Sequence, residues 1–129
     1  MVVLNLTQHP ATPEQLADGV VDLQGDDLAT LKERMTFLEL PSSEDVYERA
    51  QEIARLASRL LRGQPNQAAM VGGAPFLMAP LEAALRVQGV RPLYAFSVRE
   101  SVETRLPDGS VRKTAVFRHV GFVPAEADF

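Results

Sequence analysis

Cysteine and tryptophan are both missing from the 129 residues, and histidine occurs twice. Without cysteine there is no disulfide scaffold, no thiolate nucleophile and no thiolate-ligated zinc or iron–sulfur site. No apolar run approaches the roughly 20 residues that a membrane span requires. The opening MVVLNLTQHP lacks the charged n-region of a signal peptide. The net charge of −4 argues against a nonspecific duplex DNA binder, which presents a basic face. No His-x-x-x-His pair and no carboxylate cluster has ligand spacing, so neither a metal nor another cofactor is expected. No G-x-S-x-G elbow points to a serine hydrolase. What remains is a chain 46% hydrophobic and 23% charged, expected to form one cytoplasmic domain over residues 1–129. A chain of this length buries about two thirds of its unfolded surface, enough to fold without staples.

The elements alternate. Met1–Leu6 is apolar and stops at Thr7-Gln8-His9-Pro10, a strand running into a loop, because Pro10 disfavours the helical region for His9. Thr12-Pro13-Glu14-Gln15 reads as a capping box with proline at the first helical position, and Asp18-Gly19 ends that helix early. Val20–Leu23 is a weak strand. Leu28, Leu31, Met35 and Leu38 recur at helical spacing over Asp26–Leu38. After the break at Pro41-Ser42-Ser43, a second face (Val46, Ala50, Ile53, Ala57, Leu60) extends to Arg62. Ala68–Val71 feeds Gly72-Gly73-Ala74-Pro75 and a helix that starts at Pro75 or Pro80 and closes at Gly89. Leu93–Phe96 reads as a buried strand. Val98–Leu106 and Val111–Val123 flank the turn Pro107-Asp108-Gly109-Ser110. Strands alternating with helices predict an α/β, Rossmann-like three-layer sandwich with a mostly parallel sheet and a C-terminal β-hairpin.

Ligands of open parallel sheets sit outside the carboxyl ends of the strands. Those ends carry Asn5, Thr7, Gln8 and His9 on the first strand, Gly72-Gly73 on the middle one, and Ser97, Arg99 and Glu100 on the last. Adjacent glycines before a helix let backbone N–H groups approach an anion, although a plain strand-to-helix turn explains them equally well. A symmetric hairpin that pairs Leu106 with Val111 places Arg99 opposite Arg118. Opposed like charges are destabilising, so an anion between them is one reading; neutralisation by Glu103, or a bulge that shifts the register, is the other. Arg105 opposite Arg112 reads as solvated surface. The same register makes Glu100 and His119 diagonal neighbours, as a satisfied structural pair or an acid–base couple.

Leu4-Asn5-Leu6-Thr7-Gln8-His9-Pro10-Ala11-Thr12-Pro13-Glu14-Gln15-Leu16 resembles the start of small CRISPR-associated proteins with a CARF-like fold, the CRISPR-associated Rossmann fold. The order of elements through Gly72-Gly73-Ala74-Pro75 to Ser97 is similar too. Gln8 stands as an insertion that shifts the histidine by one, and the helix over Asp26–Leu38 has no counterpart. The resemblance implies a homodimer that binds a cyclic oligoadenylate, cyclic tetra-adenylate favoured, across its two-fold axis. It further implies either a metal-independent ring nuclease of antiviral CRISPR signalling, in which a ribose 2′-hydroxyl attacks the neighbouring phosphate, or a protein that only sequesters the messenger. Asn5, Thr7 and His9 then face the ligand, and Gly72 and Gly73 meet its phosphates or bases.

Such attack needs positioning and charge stabilisation more than a metal. His9, Arg99 and Arg118 are therefore the catalytic candidates, with Asn5, Thr7, Gln8, Gly72, Gly73, Ser97, Glu100 and His119 binding. Two other classes stand beside this one. A nucleotide-binding regulatory domain binds without turnover, and an interaction subunit pairs its hairpin edge with another chain.

Overall fold

The structure, a computed structural model, describes residues 1–126. The chain runs β1 (Val3–Leu6), α1 (Pro13–Ala17), β2 (Val20–Asp22), α2 (Gly25–Met35), α3 (Ser43–Leu60), β3 (Ala68–Val71), α4 (Pro75–Val87), β4 (Arg91–Arg105) and β5 (Val111–Pro124). The five strands form one curled, mixed sheet in the order β2-β1-β3-β4-β5. The first three pairings are parallel and β4–β5 is antiparallel. The fold is therefore α/β, with a mostly parallel sheet and a C-terminal hairpin.

Alternation along the central strands sends side chains to two unlike faces. Leu4, Leu6, Ala69 and Val71 join one large apolar cluster with Leu31 and Met35 of α2, Ile53 and Ala57 of α3, and Leu77, Leu81 and Leu85 of α4. Fully burying each large aliphatic side chain contributes roughly 1.5–3 kcal/mol, so this face holds most of the apolar stabilisation. Val3, Val20, Ala68, Met70 and Leu93 face the other way and are covered by Ala11 and Phe122. His119 lies edge-on to Phe122, ring centroids 5.0 Å apart, and its Nε2 is 3.0 Å from Asp18 Oδ2 at the end of α1. The base of the hairpin thus closes this second face.

Local chemistry sets most boundaries. Gln15 N–H donates to Thr12 Oγ1 (3.1 Å) and Thr12 N–H to Gln15 Oε1 (3.0 Å), completing the expected capping box. Ser42 Oγ caps α3 through Asp45 N–H. α4 begins at Pro75 and continues through Pro80. Helix α2 stops at Met35, three residues short of the predicted Leu38, because Thr36 is extended (φ −100°, ψ 124°). Arg49 of α3 explains the stop: its guanidinium donates to the carbonyls of Arg34 and Thr36 (3.4 and 2.6 Å), a cation on the negative end of α2. Leu38 is left 91% exposed.

The hairpin register corrects a larger expectation. Its turn takes five residues: Leu106 N–H donates to Ser110 O (2.8 Å) and Gly109 N–H to Leu106 O (3.0 Å). The last ladder pair is therefore Arg105–Val111, which sets Arg99 opposite Phe117, Arg118 opposite Val98 and Arg112 opposite Thr104. A slip of one residue sends opposed side chains to opposite faces. Neither Arg99–Arg118 nor Arg105–Arg112 is a pair. A bulge at Phe96/Ser97, with Val120 as the extra residue, shifts the pairing back by one toward the base. The two stretches read as separate strands, Leu93–Phe96 and Val98–Leu106, are one continuous β4.

Candidate functional site

The carboxyl ends of β1 and β3 and the passing segment of β4 enclose a cleft of about 550 Å³, lined by Thr7, Gln8, His9, Gly72, Gly73, Tyr94 and Ala95, with Met35 and Met70 among its other walls. Thr7, Gln8, His9, Gly72 and Gly73 were all expected at a site, and the topology brings them together. A wider groove of about 810 Å³ lies under the α2–α3 loop. Its Arg49 is already bonded to Asp45 (3.2 Å) and to the end of α2. The strand-end cleft is where open parallel sheets bind ligands.

Asn5 fixes the first wall of the cleft. It is 3% exposed, and its carboxamide is fully used. Nδ2 donates to His9 O and to Asp22 Oδ1, both at 2.8 Å. Oδ1 accepts from Thr7 N–H (2.9 Å) and Thr7 Oγ1–H (2.7 Å). A primary amide has two donor hydrogens and two acceptor lone pairs, and all four are satisfied. Asn5 borders a smaller cavity of about 230 Å³. With all four of its polar positions bonded within the chain, it shapes the Thr7–His9 loop. Asp22 completes the clamp by accepting from Ala11 N–H (3.1 and 3.3 Å).

The second wall is the β3–α4 turn. Gly73 has φ +153°, and a Cβ there would meet the terminal methyl of Met35 at 3.0 Å; one on Gly72 would meet the Thr7 methyl at 3.4 Å. The two glycines let the turn close against the loop after β1. Ala74 supplies no side-chain cap to α4, so the positive pole of that helix faces this end of the sheet without an intervening side-chain oxygen. The third wall is Tyr94, whose hydroxyl donates to Glu82 Oε2 at 2.7 Å. Burial first, then the Glu82 carboxylate, pushes its phenol up to about 12, so it stays neutral at physiological pH. Among the described residues, the lining includes no Asp, Glu, Lys or Arg.

The remaining expected residues lie on the arm beyond the cleft. Ser97 pairs with His119, Arg99 with Phe117, and Glu100 with Val116. Arg118 forms an ion pair with Glu100 at 3.3 Å. Glu100 therefore meets an arginine and His119 meets Asp18, so the expected Glu100–His119 couple is replaced by two separate pairs. Arg99 has no acidic partner among the described residues. Asp22, Tyr94 and Met35 were missed by the sequence reading. The strand-end rule that found Asn5 would have found Asp22 on β2; Tyr94 was hidden inside a run read as buried strand.

A protein family described as the Uncharacterized protein MJ1673 family matches residues 1–123. The chain belongs to that family. No curated protein and no solved structure matches it. The family match spans the cleft and nearly all of the hairpin, so both are features of the matched region.

Proposed function

We propose that this member of the family binds a small nucleotide ligand in the strand-end cleft, as a homodimer, with a cyclic oligoadenylate as the ligand and cyclic tetra-adenylate favoured. The observation that carries the reading is the cleft itself: a loop locked by Asn5, a glycine turn backed by a helix amino terminus, and a lining free of carboxylates among the described residues, in a chain of net charge −4. Backbone amides and a helix pole suit phosphate, and the absence of acidic groups removes its chief repulsion. The reading treats the fold as a Rossmann-like three-layer sandwich in which α1 and the loop before it form a thin third layer. The resemblance of residues 4–16 to the CARF-like proteins supplies the ligand class.

Cleavage is the second part of the proposal. The ribose 2′-oxygen bonds to the adjacent phosphorus, the bond to the 5′-oxygen breaks, the 2′-hydroxyl proton leaves and the 5′-oxygen gains one. Products are linear with a 2′,3′-cyclic phosphate. His9 is the lining side chain of a type that carries protons near neutrality. Arg99 and Arg118, on opposite faces of the arm, do not act as a clamp.

The test is incubation with labelled cyclic tri-, tetra- and hexa-adenylate in EDTA, read by native gel and chromatography. The expected result is a shifted band and conversion that is lost in His9→Ala. A shift without conversion supports the non-catalytic regulatory domain. No shift at micromolar protein overturns the ligand reading.

A further inference from the structure

The outer half of the hairpin projects from the sheet as two strands alone. On its inner side β4 pairs with β3 only over Arg91–Leu93, so from Tyr94 onward that edge has no strand beside it among the described residues. A two-stranded ribbon is marginally stable in water, and three or more strands are needed for independent stability. An open edge of this length is also a template for another strand. Leu106 N–H bonds to Ser110 O, and backbone groups alternate sides along a strand. The even-numbered residues of outer β4 therefore turn their N–H and C=O toward β5, while Arg99, Ser101 and Glu103 turn theirs to the open edge.

The sequence of that edge complements itself. When two copies pair antiparallel about a two-fold axis normal to the sheet, the axis passes between two copies of one residue. An axis at Arg99, Glu100 or Glu103 sets identical charges against each other. An axis at Val102 opposes Arg99 to Arg105. An axis at Ser101 opposes Arg99 to Glu103 twice, and Ser101 to itself. Cross-strand pairs of opposite charge stabilise a sheet and like charges destabilise it.

We propose that two copies of this chain join through the open edge of β4 with Ser101 on the two-fold axis, forming a four-stranded sheet of β5 and β4 from each copy. The register gives otherwise idle groups a role. Arg99, which has no acidic partner among the described residues of its own chain, meets Glu103 of the other copy. Glu103 lies 3.7 Å from Lys113 in its own hairpin, and Phe117, 73% exposed, stands opposite Arg99. One face thus carries rows in which a lysine, a glutamate, an arginine and a phenylalanine follow one another across the four strands. Ala95 of β4 lines the cleft. Ser101 lies six residues further on, so the axis falls about 20 Å along the strand from the cleft rim.

This inference supplies the surface for the homodimer proposed above, and its test contains no nucleotide. Failure of ligand binding with an intact dimer counts against the ligand reading alone; bound ligand without this dimer counts against the present one. The chain has no cysteine, so Ser101→Cys introduces its only thiol. On oxidation it should give a disulfide-linked dimer on a non-reducing gel, and Val102→Cys, whose two copies do not face each other, should not. In sedimentation, Glu103→Arg should weaken association about tenfold or more, and Arg99→Glu with Glu103→Arg should restore it. The double variant keeps every change the single one makes within its own hairpin, so restoration reports the contact between copies. Far-ultraviolet circular dichroism confirms that each variant is folded. A monomer, as expected if the edge serves a different protein, overturns the proposal. So does a dimer that links through Val102→Cys and not Ser101→Cys, or one unaffected by Glu103→Arg.

Discussion

Asn5 is the residue whose replacement tests the architecture of the cleft most directly. Asn5→Ala removes four hydrogen bonds, and the loss is uneven. Asp22 keeps the Ala11 amide, and the Thr7 hydroxyl, released from Asn5, turns its proton to His9 O, 3.1 Å away. Thr7 N–H loses its acceptor and stays partly buried. One stranded donor costs roughly 1–3 kcal/mol, and the space left by the carboxamide adds about 1 more. The expected loss is about 3 kcal/mol, a drop in Tm of about 10 °C for a domain of this size. Asn5→Asp sharpens the test. It keeps both acceptor bonds but sets a carboxylate against Asp22 Oδ1, where the amide nitrogen now lies 2.8 Å away. Two carboxylates that close cannot both ionise, so the new group's folded-state pKa rises. A raised pKa costs nothing below its unfolded value, about 3.9, and the cost grows as pH climbs toward the folded value. Asn5→Asp is therefore expected to be closer to the parent at pH 4 than at pH 7. Thermal and urea unfolding, followed by circular dichroism at fixed protein concentration, measures both. A loss under about 1 kcal/mol for Asn5→Ala, or equal losses at both pH values for Asn5→Asp, would refute the clamp.

Gly19→Ala is expected to destabilise by more than about 2 kcal/mol, since Gly19 has φ +96° and an added Cβ would fall inside the Met1 carbonyl oxygen; urea midpoints measure it. Gly73→Ala places a side chain at φ +153° and presses on the movable end of Met35, so a loss of about 1–3 kcal/mol is expected, with a change in the nuclear magnetic resonance shift of the Met35 methyl. Tyr94 should ionise near 12 in an ultraviolet titration. Because that folded value is raised, its contribution to stability is complete below the unfolded value of about 10 and fades as pH rises through 12; Tyr94→Phe should abolish that part of the alkaline transition.

Features decided by neighbours in sequence were legible in advance. The Thr12–Gln15 capping box, the Asp108-Gly109 turn and the order of strands and helices all follow from local chemistry. The strand-end rule also named Thr7, Gln8, His9, Gly72 and Gly73, which the topology places along one cleft. What escaped depends on distant partners. Helix α2 stops early because Arg49 reaches over from α3. Asn5 faces inward because Asp22, seventeen residues away, supplies an acceptor. The hairpin pairs one residue off the expected register because its turn closes from Leu106 to Ser110, and that single residue dissolved the arginine clamp. Strand patterning fixes which residues alternate, but turn length decides what each one meets.

The unequal covering of the two sheet faces has a consequence for how the molecule opens. The α2–α4 face is sealed by three helices and opens only with most of the core. The opposite face relies on Ala11, Phe122 and the Asp18–His119 contact, which joins residues 101 positions apart. Breaking that contact costs far less than global unfolding, so the chain should possess a separate low-energy opening unit. In it, the base of β5 swings away and the backs of β1 and β3 become wet while the helical side stays closed. Slow amide protection would then concentrate on α3 and α4, and the hairpin base would exchange as one cooperative block.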